Sequence, residues 1–355
     1  MKKKVTIQDI ADALGISRNT VSKAINNSDG LADATREKIL QKAVEMGYKQ
    51  FSYVNAIVQQ PAGNAEENAA APGGANEIAL FTGAFLNQSH FSSLMLDKLQ
   101  CDLSQLGYTL NTHRVTPENF SALTLPVTFE RNRTAAVICV EVFDRAYAEM
   151  ICTLEVPVLF IDGPPNLEGK PLPADMLLMN NRDSVSQFVN DMLRHGRRRI
   201  GFIGDYLHCQ SFYERYTAFR CAMALAELPV KANDIVVTRS FPEMREALPS
   251  LPDLPEVFVC ANDFVAWDAA YVLQEIMGKS IPGDIELSGF DDAPESRILK
   301  PQLTTIHIHT QIMGFSAMQL LMARIKEPSL DYRIVHTETE LIYRASTNLP
   351  LSGET

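Results

Sequence analysis

Strand-like and helix-like segments alternate from Glu77 towards the end of the chain, and this alternation leaves few folds open. The strand-like segments are almost continuously apolar, which is typical of parallel strands that are buried on both faces. Eight strands in about 270 residues favour two doubly wound subdomains over a single sheet. The strands are predicted at EIALFTG, AAVICV, VPVLFID, RIGFIGD, DIVV, EVFVCAND, IELSGFD and ELIYR, and the helices at 92–107, 181–196, 211–228, 263–278 and 310–326.

The composition is that of a globular protein, with 46% apolar and 21% charged residues. The longest apolar runs, such as VPVLFI and AAVICV, are too short to cross a bilayer. The basic N-terminus is not followed by the apolar stretch of a signal peptide. We therefore expect a cytoplasmic protein that makes no membrane contact.

The cysteines and histidines give no sign of a metal site. The six cysteines are scattered without a C-x-x-C pair, and several fall in apolar runs, so we expect reduced, buried thiols rather than disulfides or zinc ligands. His307 and His309 lie on one face of a strand or loop, but no third ligand stands at a suitable spacing. The sequence also lacks the common nucleotide, hydrolase and metalloprotease motifs, so we predict no cofactor and no catalysis.

Charge is distributed unevenly along the chain. The formal net charge is −11, but residues 1–60 carry nine Lys/Arg and six Asp/Glu, a net of +3, so the remainder carries −14. An acidic body repels phosphates, so any contact with nucleic acid must be made by the small basic head.

Residues 5–27 predict two short helices joined by a tight turn. Thr6 and Ser17 are suitable N-caps, and Gly15 can adopt the left-handed conformation that ends the first helix. The inward positions are Ile7, Ile10, Ala11 and Leu14 in the first helix and Val21, Ala24 and Ile25 in the second. A third helix is predicted from Thr35 to Met46, ended by Gly47, with Ile39, Leu40, Ala43 and Val44 inward.

Two short helices and a tight turn, packed by a third helix, make a helix-turn-helix. The second helix has a size that fits the major groove of DNA. Its outer face carries no acid and presents Arg18, Asn19, Ser22 and Lys23. The alternative is a small helical domain whose polar face is only solvated.

This head resembles the DNA-binding domain of the LacI/GalR (lactose-repressor) family. The family pattern is close to T-I-x-D-[VI]-A-x-x-[AL]-G-[VI]-S-x-x-T-V-S-[RK]-x-[IL]-N. The matching residues are Thr6, Ile7, Asp9, Ile10, Ala11, Gly15, Ser17, Thr20, Val21, Ser22, Lys23 and Asn26. The resemblance implies that Arg18, Asn19 and Lys23 read bases, and that phosphates are held by Thr6, Ser17, Thr20, Ser22 and Asn26.

The segment after the head departs from the family. The family continues P-N-x-x-A-R-x-L into a hinge helix that wedges a leucine into the minor groove. Here the Pro, Asn, Ala and Arg positions hold Gln50, Phe51, Val54 and Asn55, and Ile57 falls at the wedge. A flexible linker of Ala, Gly, Pro and Asn is predicted at 59–76. The sequence therefore does not predict the family's hinge folding and operator bending, whereas it does predict DNA binding by the head.

Polar residues follow several of the predicted strands, at Asp162, Asp205, Asn262-Asp263 and Asp291-Asp292. Ligands bind at the carboxyl ends of parallel strands, so this series predicts a cleft for a polyhydroxylated molecule. Any single one of these residues could instead cap the next helix.

The body resembles the same family along essentially its whole length. Matches in ERYTAF, VFVCANDFVA and LSGFDD imply effector contacts by Arg215, Asn262 and Asp291, and Asp162 falls at a pocket acid of the first subdomain. The match in ELIYRAST implies that Arg344 holds the fold. Ala218 and Trp267-Asp268 depart from the pattern.

Three aromatic residues have two interpretations each. Phe91 and Phe241 could form pocket walls, although core packing is the commoner role. Trp267, the single tryptophan, is more often a packed or subunit-interface residue than a platform for a sugar.

These observations predict a helix-turn-helix head and atypical hinge at 1–58, a linker at 59–76, and a two-lobed, periplasmic-binding-protein-like α/β body at 77–355. The N-subdomain is expected at about 77–178 and 309–332, and the C-subdomain at about 179–308 and 333–350. The predicted function is a homodimeric repressor of double-stranded operator DNA, controlled by a small effector that is a sugar or sugar derivative. A two-lobed solute-binding receptor and a sugar-processing enzyme with a DNA-binding domain are the alternatives.

Overall fold

The computed structural model describes residues 5–25, 35, 38, 39, 42, 43, 46, 75–83 and 90–349. The chain divides into two compact units, Met1–Ala69 and Ala70–Thr355, and the division falls inside the segment whose composition predicts a linker. Asn26 and the whole hinge, with Ile57, lie outside the described residues.

The head begins with two helices that start at the predicted caps. Helix α1 spans Ile7–Leu14 and opens with a capping box, in which Asp9 N donates to Thr6 Oγ1 at 3.2 Å and Thr6 N donates to Asp9 Oδ2 at 2.7 Å. Helix α2 spans Arg18–Ile25, and Thr20 N donates to Ser17 Oγ at 3.0 Å. Gly15 ends α1 with φ of 66°, the left-handed conformation that the sequence predicted.

A third helical segment completes the core of the head. Residues 35, 38, 39, 42 and 43 are helical, as the predicted third helix requires. The buried apolar side chains are Ile10, Ala11, Val21, Ala24, Ile39 and Ala43. The side chains of Ile25, Leu40 and Val44 lie outside the described residues.

We expect Gly15→Ala to destabilise the head by about 1 kcal/mol. A Cβ at this position would meet nothing within 4 Å, so the left-handed backbone alone sets the cost. Amide hydrogen exchange of α1 in the full chain measures the effect. Gly15→Asn is the matched control, because asparagine tolerates this conformation better than alanine. Equal losses in the two variants would contradict the argument.

The first lobe of the body is built on a six-stranded parallel sheet in the order β2-β1-β3-β4-β5-β11. Its strands are β1 Glu77–Thr82, β2 Thr109–Arg114, β3 Thr134–Val140, β4 Val158–Ile161, β5 Asp175–Met179 and β11 Ile334–Thr337. Its helices are α3 His90–Gln105, α4 Pro117–Ala122, α5 Arg145–Ile151 and α11 Thr310–Lys326. Strands β1, β3, β4 and β5 are buried throughout, which explains their continuous apolar runs.

The second lobe has a four-stranded parallel sheet in the order β7-β6-β8-β9, and an antiparallel pair β10-β12. Its strands are β6 Ile200–Ile203, β7 Ile235–Val236, β8 Val257–Cys260, β9 Glu286–Ser288, β10 Thr305–Ile308 and β12 Thr339–Ile342. Its helices are α6 Asp183–Arg194, α7 Gln210–Leu225, α8 Phe241–Ala247, α9 Asp263–Tyr271 and α10 Glu295–Ile298. The π-helix Val272–Ile276 continues α9, in the region where the sequence predicted one long α-helix.

The chain crosses between the lobes after β5, after β10 and after β11. Asn180 N donates to Thr337 O at 2.7 Å, and Thr339 Oγ1 donates to Asn180 O at 3.0 Å, so two of the crossings are tied together. The sequence placed all of 333–350 in the second subdomain, but residues 334–337 pair with β5 in the first sheet. That boundary was wrong, since the pattern does not reveal with which sheet a short strand pairs.

Each sheet has a switch in strand order. In the first lobe it lies between β1 and β3, and in the second between β6 and β8. Such switch points are where ligands bind in open α/β sheets. Two predicted polar residues, Asp205 after β6 and Asn262 after β8, flank the switch of the second lobe.

All six cysteines are free, although not all are buried as predicted. Cys139, Cys209 and Cys260 are buried, Cys152 is half-buried, and Cys101 and Cys221 are exposed. Among the described residues, no helix is both long and apolar enough to cross a membrane, and no cluster of three His, Cys, Asp or Glu could hold a metal ion.

Candidate functional site

The outer face of α2 presents the three residues predicted to read bases. Arg18, Asn19 and Lys23 are all exposed, and the helix sequence RNTVSKAI contains no acid. An exposed face with two cations and a carboxamide can meet both phosphates and base edges.

The hydroxyl groups predicted to hold phosphates also build the head itself. The Ser17 and Thr20 hydroxyls lie 2.7 Å apart, and Thr6 Oγ1 donates to Asp9 Oδ2 at 2.7 Å. Ser22 is half-buried on α2. The Thr6–Asp9 contact fixes the start of α1, and the Ser17–Thr20 contact fixes the start of α2, which carries Arg18 and Asn19.

In the body, Asp162 extends from the end of β4 towards the second lobe. Its backbone is left-handed, with φ of 59°, and its Oδ1 accepts from Gly163 N at 2.8 Å and from Ser211 N at 3.1 Å. Burial raises the pKa of Asp162, although these hydrogen bonds and the nearby Arg215 oppose the rise. A carboxylate of the first lobe thus contacts the first turn of a helix in the second.

Arg215 lies one helical turn after Ser211 and is almost completely buried, with 3% of its surface exposed. Its Nε donates to Asn181 Oδ1 at 2.9 Å, and its Nη1 donates to Ala261 O at 2.7 Å. Its Nη2 is 3.7 Å from Asp291 Oδ1. The guanidinium carbon lies 3.5 Å from the centre of the Phe290 ring, so a cation–π contact holds its face.

Asp291 follows β9 in a strained conformation, with φ of 114°. Burial raises the pKa of its carboxyl to about 6, against the opposing effect of Arg215, and the neighbouring Asp162 adds to the rise. Its carboxyl also hydrogen-bonds the side chain of Asn262. Two carboxylates from different lobes therefore share one arginine.

Asn262 fulfils the capping role that was its alternative interpretation, because its Oδ1 accepts from Val265 N at 3.0 Å in the first turn of α9. Its neighbour Asp263 is buried and structural, accepting from Thr305 Oγ1 at 2.5 Å and from Ala293 N at 2.8 Å. Burial raises the pKa of Asp263 well above its ordinary value. Asn262 thus serves as both a helix cap and a partner of Asp291.

The other strand-end acids have partners of their own. Asp205 Oδ2 accepts from Arg239 Nε at 2.7 Å. Asp292 accepts from His307 Nδ1 at 3.0 Å and from Arg344 Nη2 at 2.5 Å, and although burial opposes it, these contacts hold its pKa well below its ordinary value. Arg344 therefore holds the fold, as the family resemblance implied.

The three aromatic candidates are not brought together with Arg215 by any contact among the described side chains. The Phe241 ring packs edge-on against Tyr271, with centroids 5.5 Å apart, which is a packing role. Trp267 is 36% exposed on α9. The side chain of Phe91 lies outside the described residues.

The sequence analysis did not identify Asn181 and Glu214, the buried polar residues that hydrogen-bond Arg215 directly or through one another. Asn181 is fully buried, and its Nδ2 donates to Ser211 Oγ at 3.2 Å and to Glu214 Oε2 at 3.1 Å. Burial alone would raise the pKa of Glu214, but hydrogen bonds from His336, Asn181 and Gln210 lower it. The available signal was a polar pair, Asn180-Asn181, directly after the apolar run MLLM.

Across the same cleft, His208 of the second lobe meets Phe143 of the first, with ring centroids 4.8 Å apart. Burial lowers the pKa of His208, although Asp162 and Asp205 oppose this, so burial favours the neutral imidazole. The two lobes thus touch through an aromatic pair as well as through Asp162.

Two family models match the chain. The lacI family of bacterial regulatory proteins matches residues 6–50, and a periplasmic binding protein-like domain matches residues 189–347. Together they cover more than half of the chain, and the first contains the entire face of α2 described above.

Similar proteins extend the likeness to the full length. The HTH-type transcriptional repressor PurR of Vibrio parahaemolyticus is 24% identical over 96% of this chain and 97% of its own length. The PurR of Actinobacillus pleuropneumoniae is 26% identical over 96% of this chain and 98% of its own.

Among solved structures, a transcriptional regulator CelR–cellobiose complex covers 97% of this chain and 100% of its own, with 22% identity and a TM-score of 0.66. The Lac repressor dimer bound to operator and the anti-inducer ONPF covers 97% and 99%, with 20% identity and a TM-score of 0.63. These likenesses establish the fold, a helix-turn-helix head with a periplasmic-binding-protein-like body. The chain therefore combines a head that matches the lacI family of bacterial regulatory proteins with a periplasmic binding protein-like body, and it is similar along its full length to the PurR repressors.

Proposed function

We propose that this protein is a cytoplasmic transcriptional repressor whose affinity for operator DNA is set by a small effector bound between the two lobes. The observation that carries the proposal is the exposed, acid-free face of α2 with Arg18, Asn19 and Lys23. Arginine and lysine suit the O6 and N7 acceptors of guanine, and asparagine can pair with adenine through two hydrogen bonds. The remaining positions, Thr6, Ser17, Thr20, Ser22 and Asn26, would set the register on the phosphates.

A homodimer follows from the chemistry of the target. Two heads related by a two-fold axis would contact two half-sites of a pseudo-palindromic operator. The solved Lac repressor with this fold is described as a dimer bound to its operator, which supports the same arrangement here. If the atypical hinge folds on DNA, Ile57 would be its minor-groove wedge.

The proposed effector site lies around Arg215, with Asp162 on one lobe and Asn262 and Asp291 on the other. Carboxylate and carboxamide groups facing one another across a cleft can hold vicinal hydroxyls in a fixed orientation. The likeness to a regulator solved with cellobiose supports a sugar or sugar derivative as the effector. Phe91 stays a candidate wall of this site, whereas we leave Phe241 out because its ring packs on Tyr271.

Effector binding would act on DNA binding by changing how closely the lobes approach. Asp162 and Asp291 belong to different lobes, so a ligand that bonds both favours the closed arrangement. The coupling is reciprocal, so operator must change effector affinity by the same factor.

We expect selection from a random DNA pool by the full chain to enrich a pseudo-palindromic site. Arg18→Ala and Asn19→Ala should each weaken binding to that site by about 1–3 kcal/mol, because each removes a base contact. Lys170→Ala is the matched control, since Lys170 is an exposed cation on the body. Titration at several salt concentrations separates base reading from phosphate attraction.

The alternatives predict different outcomes of this selection. A two-lobed solute receptor would bind DNA weakly and uniformly and enrich no site. An enzyme with a DNA-binding head would enrich a site but would also turn over a sugar, which product analysis detects.

A further inference from the structure

The charge balance of the effector site points to one kind of effector, and this inference rests on the proposed function. Each nitrogen of the Arg215 guanidinium already faces a protein acceptor, namely Asn181 Oδ1, Ala261 O and the Asp291 carboxylate. One face of the group is covered by the Phe290 ring. An anion would therefore have to displace a partner before it could bind the arginine with two parallel hydrogen bonds.

The helix that carries Arg215 offers no anion site at its N-terminus. Gln210 N donates to Gly163 O at 2.8 Å, Ser211 N to Asp162 Oδ1 at 3.1 Å, and Phe212 N to Cys209 Sγ at 3.5 Å. The first turn of a helix is where phosphates usually find backbone donors. Here the chain's own carboxylate, Asp162, already occupies that place.

Among the described residues, the carboxylates around the cleft outnumber its arginines. Asp162 and Asp291 share Arg215, and Asp205 pairs with Arg239, so three carboxylates stand against two arginines. A phosphate brought into this cleft would face two buried carboxylates that share one arginine, at close range, where charges are poorly screened.

We propose that this cleft selects an uncharged, hydroxyl-rich effector and rejects phosphorylated ones, with Asp162 and Asp291 as the residues that exclude anions. Hydroxyl groups can donate hydrogen bonds to both carboxylates without bringing a further negative charge into the cleft. A sugar phosphate carries about two negative charges into the same space.

The test uses sulfate as the probe and needs no knowledge of the effector. The full chain is unfolded thermally at pH 7.5 in sodium sulfate or in sodium chloride of equal ionic strength. Fluorescence of Trp267, the only tryptophan, reports unfolding of the body. Wild type should show no saturable stabilisation by sulfate. Asp162→Asn/Asp291→Asn, in which Arg215 has lost both neighbouring carboxylates, should bind sulfate at least tenfold more tightly than wild type.

Adding Arg215→Gln to the double variant is the control, and it should remove the gain. Asp162→Asn alone should show a smaller gain and serves if the double variant does not fold. Saturable sulfate binding by wild type at Arg215, or no gain in either aspartate variant, would overturn the proposal.

A second arm compares matched pairs on wild type, namely glucose with glucose 6-phosphate and ribose with ribose 5-phosphate. A phosphorylated member that raises Tm more than its partner would also overturn the proposal. None of these measurements involves DNA, so failure here is distinguishable from failure of the operator selection.

Discussion

Arg215→Ala is expected to destabilise the body by about 3 kcal/mol, which is the size seen when one member of a buried ion pair is removed. The substitution leaves Asn181 Oδ1 and Ala261 O without their donors and Asp291 without its counter-charge. It also opens a space beside the Phe290 ring. Thermal unfolding followed by Trp267 fluorescence should show a fall in Tm of several degrees.

The matched control is Arg220→Ala, on the same helix. Arg220 is exposed, and its Nη1 donates only to the Tyr216 hydroxyl at 2.8 Å. A change of less than about 0.5 kcal/mol is expected there. Equal losses of unfolding free energy in the two variants would mean that the buried contacts of Arg215 do not stabilise the body.

Asp291→Asn is expected to have the opposite effect on stability at neutral pH. The pKa of Asp291 is raised to about 6 from an ordinary value of 3.8, so the folded protein holds this proton more tightly than the unfolded chain. Stability from this group is therefore fully present below about pH 4 and is lost as the pH rises through 6, by at most about 3 kcal/mol. Asparagine resembles the protonated form, so the variant should be the more stable protein at pH 7.5 and equal to wild type near pH 4.

The measurement is Tm of both proteins between pH 4 and 7.5, taken as the difference at each pH. The difference removes groups that do not interact with Asp291, such as Glu214, whose pKa is lowered. Asp162 and Asp263 interact electrostatically with Asp291, so their titration contributes to the difference in the same pH range. Asp97→Asn, at an exposed position of α3, is the control and should give a flat difference. If the Tm difference between Asp291→Asn and wild type also stays constant with pH, the ionised Asp291 carboxylate does not destabilise the folded protein.

A buried carboxylate that lowers folding stability when it is ionised is typical of a ligand-binding site, where function and stability compete. Asp291 combines a strained backbone with a carboxyl that burial disfavours, and it is held there by Arg215 and Asn262. An effector that donates hydrogen bonds to this carboxylate would offset part of the cost on binding.

The parts of the fold that the sequence predicted are those with a strong local pattern. The caps Thr6 and Ser17 and the left-handed Gly15 were predicted because each follows from local backbone chemistry. Asp162 and Asp291 could be chosen as candidates from the sequence because each comes soon after a predicted buried strand. Strand β2 was missed because it is an edge strand, largely exposed, and its sequence TLNTHR is polar.

Residues whose role depends on the packing of distant segments could not be predicted. Glu214 lies within a helical run and meets His336, more than a hundred residues away, only because the third crossing returns to the cleft. The placement of residues 334–337 in the first sheet has the same origin. Sequence periodicity carries no information about such pairings.

The first turn of α7 has one consequence for motion. Two of its amide protons are held by the other lobe, since Gln210 N bonds Gly163 O and Ser211 N bonds Asp162 Oδ1. The lobes cannot separate at this edge without leaving those donors to water and loosening the first turn of the helix that carries Arg215. Opening of the cleft and local fraying of α7 therefore occur together. The hydrogen-exchange rates of the Gln210 and Ser211 amides measure how often the two lobes separate.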